Sequence, residues 1–375
     1  MWMAVGPQRK AARALTQIEG RRKPVKAVVK YLRGNGNVEL RDVPEPSPGP
    51  GQVKVEVKVA GVCGSDLHIY HDETKINVVP PVVMGHEFSG VIVEVGNGLP
   101  NGKPCSWQPG DRVTCETTAE SCGTCLPCRT GHYNMCATRK VVGYAVDGCF
   151  ARYCVVNERQ LHRLPDEVDF VGGALTEPLA CCVHAALDMT RISAGDVVVI
   201  TGPGPIGLLC LQLVKAAGAC AVVCGIPQDA ERLALARRWG ADATLDVPAQ
   251  EVVERLNTYT KGHGADIWLE CSGAPAAARL GLMATRRRGQ YTQLGLFSGP
   301  FELDFSLVAY KEIQVTGALG QSWPAWERSL ALMRQGSVDA KRLASHTLPL
   351  TEWREAFRMV RQKQGLKIML QPVGD

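Results

Sequence analysis

Two different patterns of hydrophobic and polar residues divide the chain. From Val25 to about Cys154, short stretches alternate apolar and polar residues, as in QVKVEVKVAGVCG at residues 52–64. Such alternation is typical of half-buried β-strands. Loops rich in proline and glycine, such as PEPSPGPG at residues 44–51, separate these stretches. The first part of the chain is therefore predicted to be rich in β-structure.

Near Gly195 the pattern changes to apolar strands that alternate with amphipathic helices. DVVVI at residues 196–200 is the first strand, and DAERLALARRWGA at residues 229–241 is one of the helices, with Asp229 as its expected N-cap. This alternation predicts a parallel sheet with right-handed crossovers. After about Gly320 we expect helices and one late strand, LKIMLQPV at residues 366–373.

The overall composition agrees with a soluble globular protein of two domains. Of the 375 residues, 45% are hydrophobic and 21% are charged. The longest apolar runs have the length of a strand, so no membrane span is expected.

The net charge of +5 is concentrated at the N-terminus. Residues 1–30 hold eight Lys/Arg and one acid, which leaves the rest of the chain close to neutral, at −2. A near-neutral body with a basic tail does not indicate a nucleic-acid partner. Segment 1–24 lacks the apolar stretch of a signal peptide and is expected to be a disordered extension, with a targeting or contact arm as the alternative.

Fifteen cysteines, an odd number, are scattered through apolar stretches of the chain. In the absence of a secretory signal, this predicts a reducing cytoplasm rather than a disulfide framework. Cys181 and Cys182 lie a helical turn beyond Glu177 and are expected on a buried helical face.

A glycine-rich turn follows the first strand of the second region. Gly202, Gly204 and Gly207 form a G-x-G-x-x-G motif, with Pro205 and Ile206 inside it, and a helix begins there. In such motifs the first glycine makes a tight turn, the second lets the backbone approach a pyrophosphate, and the third lets the helix pack on the strand. The free amides and the dipole of the helix N-terminus attract the phosphates. The motif predicts a dinucleotide site.

The residues that would select the dinucleotide are less distinctive. Folds of this kind carry an acid about 20 residues beyond the motif, which binds the adenosine ribose. Counting on from Gly207 leads to Ile226, with Asp229 as the nearest acid and Arg232 in the following helix. No Arg or Lys directly follows the strand to hold a 2′-phosphate. The sequence favours NAD, with NADP not excluded.

Candidate metal ligands lie outside the coenzyme motif. Cys63 begins CGSDLH at the end of a predicted strand, His86 and Glu87 belong to MGHE, and Glu177 precedes the coenzyme region. Thiolate, imidazole and carboxylate suit a borderline-soft ion, and three protein ligands with an open fourth position are typical of catalytic zinc.

Four further cysteines have the spacing C-x2-C-x2-C-x7-C. They are Cys122, Cys125, Cys128 and Cys136. Taken alone, such a run is compatible with a disulfide knot, a nucleic-acid finger, a redox or iron–sulfur centre, or a zinc clip in an enzyme.

Together these motifs resemble the zinc-containing medium-chain dehydrogenases, and most closely their sorbitol and threonine dehydrogenase branch. The resemblance runs from about Lys26 to Val373 and is carried by CGSDLH, GHE, the four-cysteine run, DGCFARY, EPL, GPGPIG, ECSG and GLKIML. It implies an α/β fold with a GroES-like β-rich catalytic domain at 25–185 and 320–375, and a Rossmann doubly wound parallel sheet at 186–319. It also implies a structural zinc lobe at about 115–140, held by the four cysteines.

The resemblance implies a ligand set for a catalytic zinc, so that each chain would bind two zinc ions. Cys63, His86 and Glu87 would bind the catalytic ion, and Glu177 would be a fourth ligand or a partner of zinc-bound water. One thiolate and one carboxylate neutralise the divalent ion, whereas both carboxylates together would weaken it as a Lewis acid. We therefore expect the two glutamates to exchange during turnover.

The resemblance also implies a proton path. The substrate alcohol would replace zinc-bound water, Ser65 would accept its proton, and His68 would pass that proton towards solvent. Hydride would leave the carbinol carbon for nicotinamide. Asp66 would orient His86 from behind the zinc.

Two departures from sorbitol dehydrogenases affect the expected substrate. Those enzymes carry an arginine and aromatic residues after the last coenzyme-domain strand, where this chain reads TGALGQSWP at 316–324. They also carry an aromatic residue directly after the histidine of the CGSD-x-H motif, where this chain has Ile69 with Tyr70 beside it. The expected substrate is a secondary alcohol, such as a polyol, sugar alcohol or cyclitol, rather than sorbitol itself.

The alternatives are an L-threonine 3-dehydrogenase, an aminocyclitol dehydrogenase and, from another class, a binding protein that lost turnover. The expected partners are a small alcohol substrate and copies of the same chain, in a homodimer or homotetramer formed through the strand near residues 314–319, with no nucleic acid and no membrane.

Overall fold

The computed structural model describes residues 23–74, 76–98, 105–246 and 249–372. Of the predicted extension at 1–24, all but the last two residues lie outside this part of the chain. The described strands are β1 (Pro24–Lys30), β2 (Val38–Pro44), β3 (Gln52–Gly61), β4 (Val82–Val83), β5 (Glu87–Val95), β6 (Arg112–Cys115), β7 (Thr118–Glu120), β8 (Lys140–Val141), β9 (Tyr153–Asn157), β10 (Leu161–Arg163), β11 (Val197–Thr201), β12 (Cys220–Cys224), β13 (Ala243–Leu245), β14 (Ala265–Glu270), β15 (Thr285–Gln293), β16 (Gln314–Gly317), β17 (Ala344–Pro349) and β18 (Lys367–Gln371).

Helices connect and cover these strands. The described α-helices are α1 (Gly64–His71), α2 (Leu126–Arg129), α3 (Phe170–Ala174), α4 (Thr176–Val183), α5 (Pro205–Ala216), α6 (Ala230–Arg238), α7 (Ala249–Thr260), α8 (Pro275–Ala284), α9 (Ser306–Lys311), α10 (Trp323–Arg334) and α11 (Trp353–Arg361). None of the helices in the described ranges is both long and apolar enough to cross a membrane.

The first region is built around β3. Its alternating valines are buried, as their spacing predicts, and the strand lies in a seven-stranded sheet with the order β10-β6-β5-β3-β18-β17, in which β9 also pairs with β3. A core that includes Phe88, Phe150 and Trp353 fills the space between this sheet and the helices. The predicted β-rich character of this region is confirmed.

The second region is a six-stranded parallel sheet with the order β13-β12-β11-β14-β15-β16. Numbered within the sheet, this order is 3-2-1-4-5-6, the dinucleotide-binding arrangement whose crevice lies at the carboxyl end of the first strand. The predicted doubly wound sheet is confirmed. The residue limits predicted for the two domains stay a prediction.

Two elements differ from the expectation. The sequence predicted one late strand, but the chain forms β17 as well, which pairs parallel with β18, while β18 pairs antiparallel with β3. The largely exposed residues of β17 lack a clear alternating pattern, so the strand was missed. The residues after Cys63 form the helix α1, which was not predicted from the sequence.

The crossover from β11 to α5 depends on two glycines in close contact. Gly202 has a φ of 87°, in the left-handed region that favours glycine. A Cβ added to Gly207 would lie 2.0 Å from the carbonyl oxygen of Gly202, whereas a Cβ added to Gly204 would have no atom within 4 Å. The helix can therefore approach the strand only with glycine at position 207.

We predict that Gly207→Ala lowers the free energy of unfolding by on the order of 1–3 kcal/mol, because the helix must move away from β11. The matched variant Gly204→Ala should change it by less than about 0.5 kcal/mol. Urea unfolding of the two variants provides the comparison. Equal stabilities would contradict the close approach described here.

Candidate active site

The end of β3 leads directly to the first candidate ligand. Cys63 occupies the N-cap position of α1, and its amide donates to Oδ2 of Asp66 at 2.8 Å. The carboxylate of Asp66 satisfies an amide that the helix leaves free, and this fixes the start of the helix. Cys63 and Ser65 both line the central cavity of the protein.

The second and third candidate ligands enter from the neighbouring strand. His86 precedes β5, and Glu87 begins it, directly opposite Gly61 of β3. A Cβ added to Gly61 would lie 2.3 Å from Oε2 of Glu87, so the glycine makes room for this carboxylate. Both His86 and Glu87 are buried.

These three residues form one cluster. The potential ligand atoms of Cys63, His86 and Glu87 all lie within 4.8 Å of one another. Nδ1 of His86 is 3.5 Å from Oδ1 of Asp66, and Nε2 is 3.4 Å from Oγ of Ser65. A carboxylate behind a histidine holds the ring so that the other nitrogen faces a metal. The donor set and its spacing fit zinc.

Lys367 at the start of β18 is a buried cation beside this cluster. Its Nζ contacts both carboxylate oxygens of Glu87 and lies 3.4 Å from the carbonyl oxygen of Val62. Although burial opposes its charge, the Glu87 carboxylate and the Cys63 thiolate raise the pKa of Lys367 above its ordinary value. The lysine therefore stays charged and offsets one of the negative charges of the cluster.

Glu177 lies in the same cavity but outside the cluster of three. It belongs to α4, is buried, and its Oε1 accepts a hydrogen bond from Nε2 of Gln321 at 3.0 Å. Burial, and then the charge of Glu87, raises the pKa of Glu177 to about 7. This carboxyl group can therefore change its protonation state near neutral pH.

The predicted burial of the two neighbouring cysteines holds for only one of them. Cys182 is fully buried, whereas Cys181 lines the cavity. Its Sγ is 3.9 Å from Oε1 of Glu177 and 3.5 Å from Oε1 of Gln321. The prediction was wrong for Cys181 because α4 turns this position towards the cavity rather than into the helix packing.

His68 lies apart from the cavity. It is one turn beyond Ser65 in α1, its side chain is 61% exposed, and Nδ1 is 3.9 Å from Oε2 of Glu73. No described hydrogen bond joins Ser65 to His68. The predicted proton path from Ser65 through His68 stays a prediction.

The cavity, of about 460 Å³, connects the metal cluster with the glycine-rich turn. Pro205 and Ile206 at the start of α5 line its far end, and Gly204 has open space where a side chain would be. A free helix N-terminus with an open glycine fits a pyrophosphate. The geometry therefore fits a dinucleotide whose nicotinamide end reaches the metal cluster.

The other predicted coenzyme residues lie on the edge of this site. Arg232 lines the cavity, and its Nη2 donates to the carbonyl oxygens of Lys363 at 3.0 Å and Gly365 at 2.8 Å. Ile226 is 55% exposed, and its amide donates to Oδ2 of Asp229 at 3.2 Å. The carboxylate of Asp229 is thus directed at the turn after β12, where an adenosine ribose is expected.

The four-cysteine run forms a second cluster. The sulfur atoms of Cys122, Cys125, Cys128 and Cys136 all lie within 4.8 Å of one another. The amides of Cys125 and Thr124 hold the pKa of Cys122 at about 5, and the amide of Cys122 lowers the pKa of Cys136. At Cys125 the amide of Cys128 acts in the same direction, but the neighbouring sulfur atoms of Cys128 and Cys122 raise the pKa. Four cysteine sulfur atoms at this spacing fit a closed tetrahedral zinc site.

Several cavity residues were not predicted from the sequence, among them Lys367, Gln321 and Arg139. Lys367 left a signal, because it is the only charged residue in the apolar strand KIML. Gln321 and Arg139 lie in loops, where no periodicity indicates which side chains turn inwards.

Two family models match the chain, one in each region. Residues 49–166 match the alcohol dehydrogenase GroES-like domain, and residues 205–335 match the zinc-binding dehydrogenase domain. The first match contains the predicted zinc ligands other than Glu177, and the second begins at the coenzyme helix α5.

Similar proteins cover nearly the whole chain. Sorbitol dehydrogenase of Halalkalibacterium halodurans is 43% identical over 93% of this chain and 100% of its own length. D-arabitol-phosphate dehydrogenase of Enterococcus avium is 40% identical over 83% of this chain and 87% of its own length. L-threonine 3-dehydrogenase of Bacillus velezensis is 34% identical over 93% of this chain and 99% of its own length.

Among solved structures, a putative zinc-binding dehydrogenase of Sinorhizobium meliloti 1021 bound to NADP has a similar fold, with a TM-score of 0.85 and 31% sequence identity. The match covers 94% of this chain and 100% of that chain. Fold, sequence and site geometry lead to the same conclusion. The chain belongs to the family of zinc-binding medium-chain alcohol dehydrogenases.

Proposed function

We propose that the chain is a zinc-dependent dehydrogenase that transfers hydride from a secondary alcohol to NAD and releases the ketone. The single observation that carries this proposal is the convergence of Cys63, His86 and Glu87 in the cavity that the coenzyme helix also lines. A metal site and a dinucleotide site that share one cavity can act on the same carbinol carbon.

Polyols are the favoured substrates. The two most similar relatives described above, at 43% and 40% identity, are named for the oxidation of sorbitol and of D-arabitol phosphate. The cavity of about 460 Å³ is large enough for a molecule of this size. L-threonine is the second candidate, because a threonine dehydrogenase is 34% identical. An aminocyclitol is the third, and a binding role without turnover is disfavoured by the intact cluster.

NAD is the favoured coenzyme, and NADP the alternative. The first cation after β12 is Arg232, and its Nη2 is already bound to two main-chain carbonyl oxygens rather than free for a 2′-phosphate. The carboxylate of Asp229 in the turn after β12 also favours ribose hydroxyls over a phosphate.

Cys63, His86 and Glu87 would hold the catalytic zinc, with Glu177 within the same cavity as a fourth ligand or as a partner of bound water. When bound, zinc lowers the pKa of the substrate hydroxyl, and NAD accepts the hydride. Asp66 accepts a hydrogen bond from the amide of Cys63, and its second carboxylate oxygen lies 3.5 Å from Nδ1 of His86, behind the proposed metal ligand.

Ser65 is proposed to take the hydroxyl proton. This is supported by its place in the cavity, with Oγ 3.4 Å from Nε2 of His86. His68, one turn along α1 and exposed to solvent, is proposed to carry the proton out.

A homodimer or homotetramer is also proposed. Strand β16 is at the edge of its sheet. Val315 within it and Leu319 just after it are 40% and 41% exposed. An open edge with apolar side chains can pair with a second copy across a two-fold axis. A cytoplasmic location is proposed because all fifteen cysteines lie in described segments and none forms a disulfide.

The proposed function is tested by following NADH formation with zinc-replete protein over sorbitol, D-arabitol, myo-inositol, phosphorylated polyols and L-threonine, each with NAD and NADP. We expect turnover of at least one polyol with NAD. Cys63→Ser should lower kcat/KM on the order of 1000-fold or more, because zinc supplies several kcal/mol to the reaction.

Cys220→Ser is the matched control, because Cys220 begins β12 away from the cavity, and its activity should equal that of the wild type. Turnover of threonine alone would support the second candidate function, that of a threonine dehydrogenase. Lack of turnover over the whole panel by protein with two bound zinc ions would refute the proposal.

A separate prediction concerns the buried ion pair. Lys367→Met should lower the free energy of unfolding of the zinc-free protein by on the order of 3–5 kcal/mol, because the buried carboxylate of Glu87 is then left without a cation. In a double-mutant cycle with Glu87→Gln, the losses of unfolding free energy in the two single variants should not add up to the loss in the double variant.

The control for this pair is Lys215→Met, which removes a half-exposed pair with Asp242 at 2.7 Å. Its cost should stay below about 1 kcal/mol. Urea unfolding is measured for the wild type and for the four variants. Additive losses, or a Lys367→Met variant as stable as the control, would contradict a buried pair.

A further inference from the structure

A cation in the substrate cavity has no role in the proposed chemistry. Arg139 follows the four-cysteine lobe, lines the cavity and is half buried. Its Nη1 donates to the main-chain oxygen of Asn134. Within the segments that the structure describes, no carboxylate forms an ion pair with this guanidinium.

Arg139 is linked to the metal end of the cavity through neighbouring residues. Gln321, which follows Gly320, donates a hydrogen bond to Oε1 of Glu177 at 3.0 Å. A Cβ added to Gly320 would lie 3.8 Å from Nη1 of Arg139. The guanidinium thus faces the segment 316–324, which lines the cavity at Leu319, Gly320 and Gln321.

The surroundings of Arg139 leave its charge uncompensated. Burial lowers its pKa, and the neighbouring Tyr144, Cys136 and Cys181 offset this only in part. An arginine nevertheless stays protonated in proteins. A partly desolvated guanidinium with one main-chain acceptor retains free donors for a further, preferably charged, partner.

The other charged groups of the site already have partners within it. Lys367 contacts Glu87, and Asp66 accepts a hydrogen bond from the amide of Cys63 and lies beside His86. The cavity's other cations, Arg232 and Lys363, lie at the coenzyme end, where the pyrophosphate is expected. Arg139 is therefore the cation left for the substrate.

We propose that Arg139 binds an anionic group of the substrate, a carboxylate or a phosphate, so that the enzyme acts on an acidic or phosphorylated polyol in preference to a neutral one. This inference rests on the proposed polyol dehydrogenase function and narrows its substrate class. Both anions present oxygen pairs that a planar guanidinium binds through two parallel hydrogen bonds. Hydroxyl groups of a neutral polyol would gain less, because they bring no charge.

The test compares three forms of each carbon skeleton: sorbitol, sorbitol 6-phosphate and D-gluconate, and D-arabitol, D-arabitol 5-phosphate and D-arabinonate. We expect one charged form to exceed its neutral partner in kcat/KM by about 10- to 100-fold, as one charge-assisted contact supplies. The better charged form identifies phosphate or carboxylate as the group that is bound.

Arg139→Gln should remove this preference by lowering kcat/KM for the charged form alone, mainly through KM, and Arg139→Lys should keep part of it. Lys140→Gln is the matched control, because this neighbouring cation is half exposed and paired with Glu120. It should leave both rates unchanged. A neutral form that is oxidised as well as the charged ones would overturn the inference, as would an equal loss for both forms in Arg139→Gln.

If neither neutral nor charged polyols are oxidised, the proposed function fails, and binding still decides the role of Arg139. Calorimetric titration of the zinc-replete protein with sorbitol 6-phosphate, D-gluconate and sorbitol then gives the result. Tighter binding of an anion by the wild type than by Arg139→Gln supports the inference. Equal binding by the two proteins overturns it.

Discussion

A carboxylate and an ammonium group, both almost fully buried, meet where β3, β5 and β18 lie side by side. Glu87 is fully buried and Lys367 is 5% exposed, so without a metal each charge is stabilised mainly by the other. A divalent ion bound by Cys63, His86 and Glu87 adds positive charge next to this lysine. The number of carboxylates that the metal can use therefore depends on Lys367 as well as on the two glutamates.

The fold explains why these groups meet. The ligands come from segments that follow or begin neighbouring strands, while Lys367 comes from the last described strand, which returns to the first sheet after the whole coenzyme region has been completed. The site therefore combines residues from the first and the last described parts of the chain. The same return brings residues 363–367 along the cavity, where Arg232 of the coenzyme region binds two of their carbonyl oxygens.

Much of this arrangement could be predicted from the sequence, because it rests on local patterns. The alternation in β3 and the glycine motif before α5 each follow from a few neighbouring residues. The cysteine spacing likewise identified a group of four sulfur atoms that the structure brings together. The chain's place in the zinc-binding dehydrogenase family was predicted from the same motifs and is confirmed.

The features that were missed depend on distant contacts. β17 carries little apolar alternation and exists because β18 offers it a partner. Lys367 has a charge in an otherwise apolar strand, and only the position of Glu87 explains it. Arg139 and Gln321 lie in loops that turn inwards for reasons that no local pattern encodes. The exchange expected between Glu87 and Glu177 was based on the charges of the metal ion, one thiolate and two carboxylates. The positive charge of Lys367 was not included in that balance, and it offsets one of the carboxylates.

The central claim is that two zinc sites of different chemistry exist in one chain, and X-ray absorption at the zinc edge tests it most directly. Four sulfur ligands in the lobe and one in the cavity predict an average of about two and a half sulfur ligands per zinc, with nitrogen and oxygen supplying the rest. Cys63→Ser should lower the sulfur count per chain by one while the lobe keeps its four. A wild-type protein with a single zinc bound by sulfur alone, or a count unchanged in Cys63→Ser, would contradict the account.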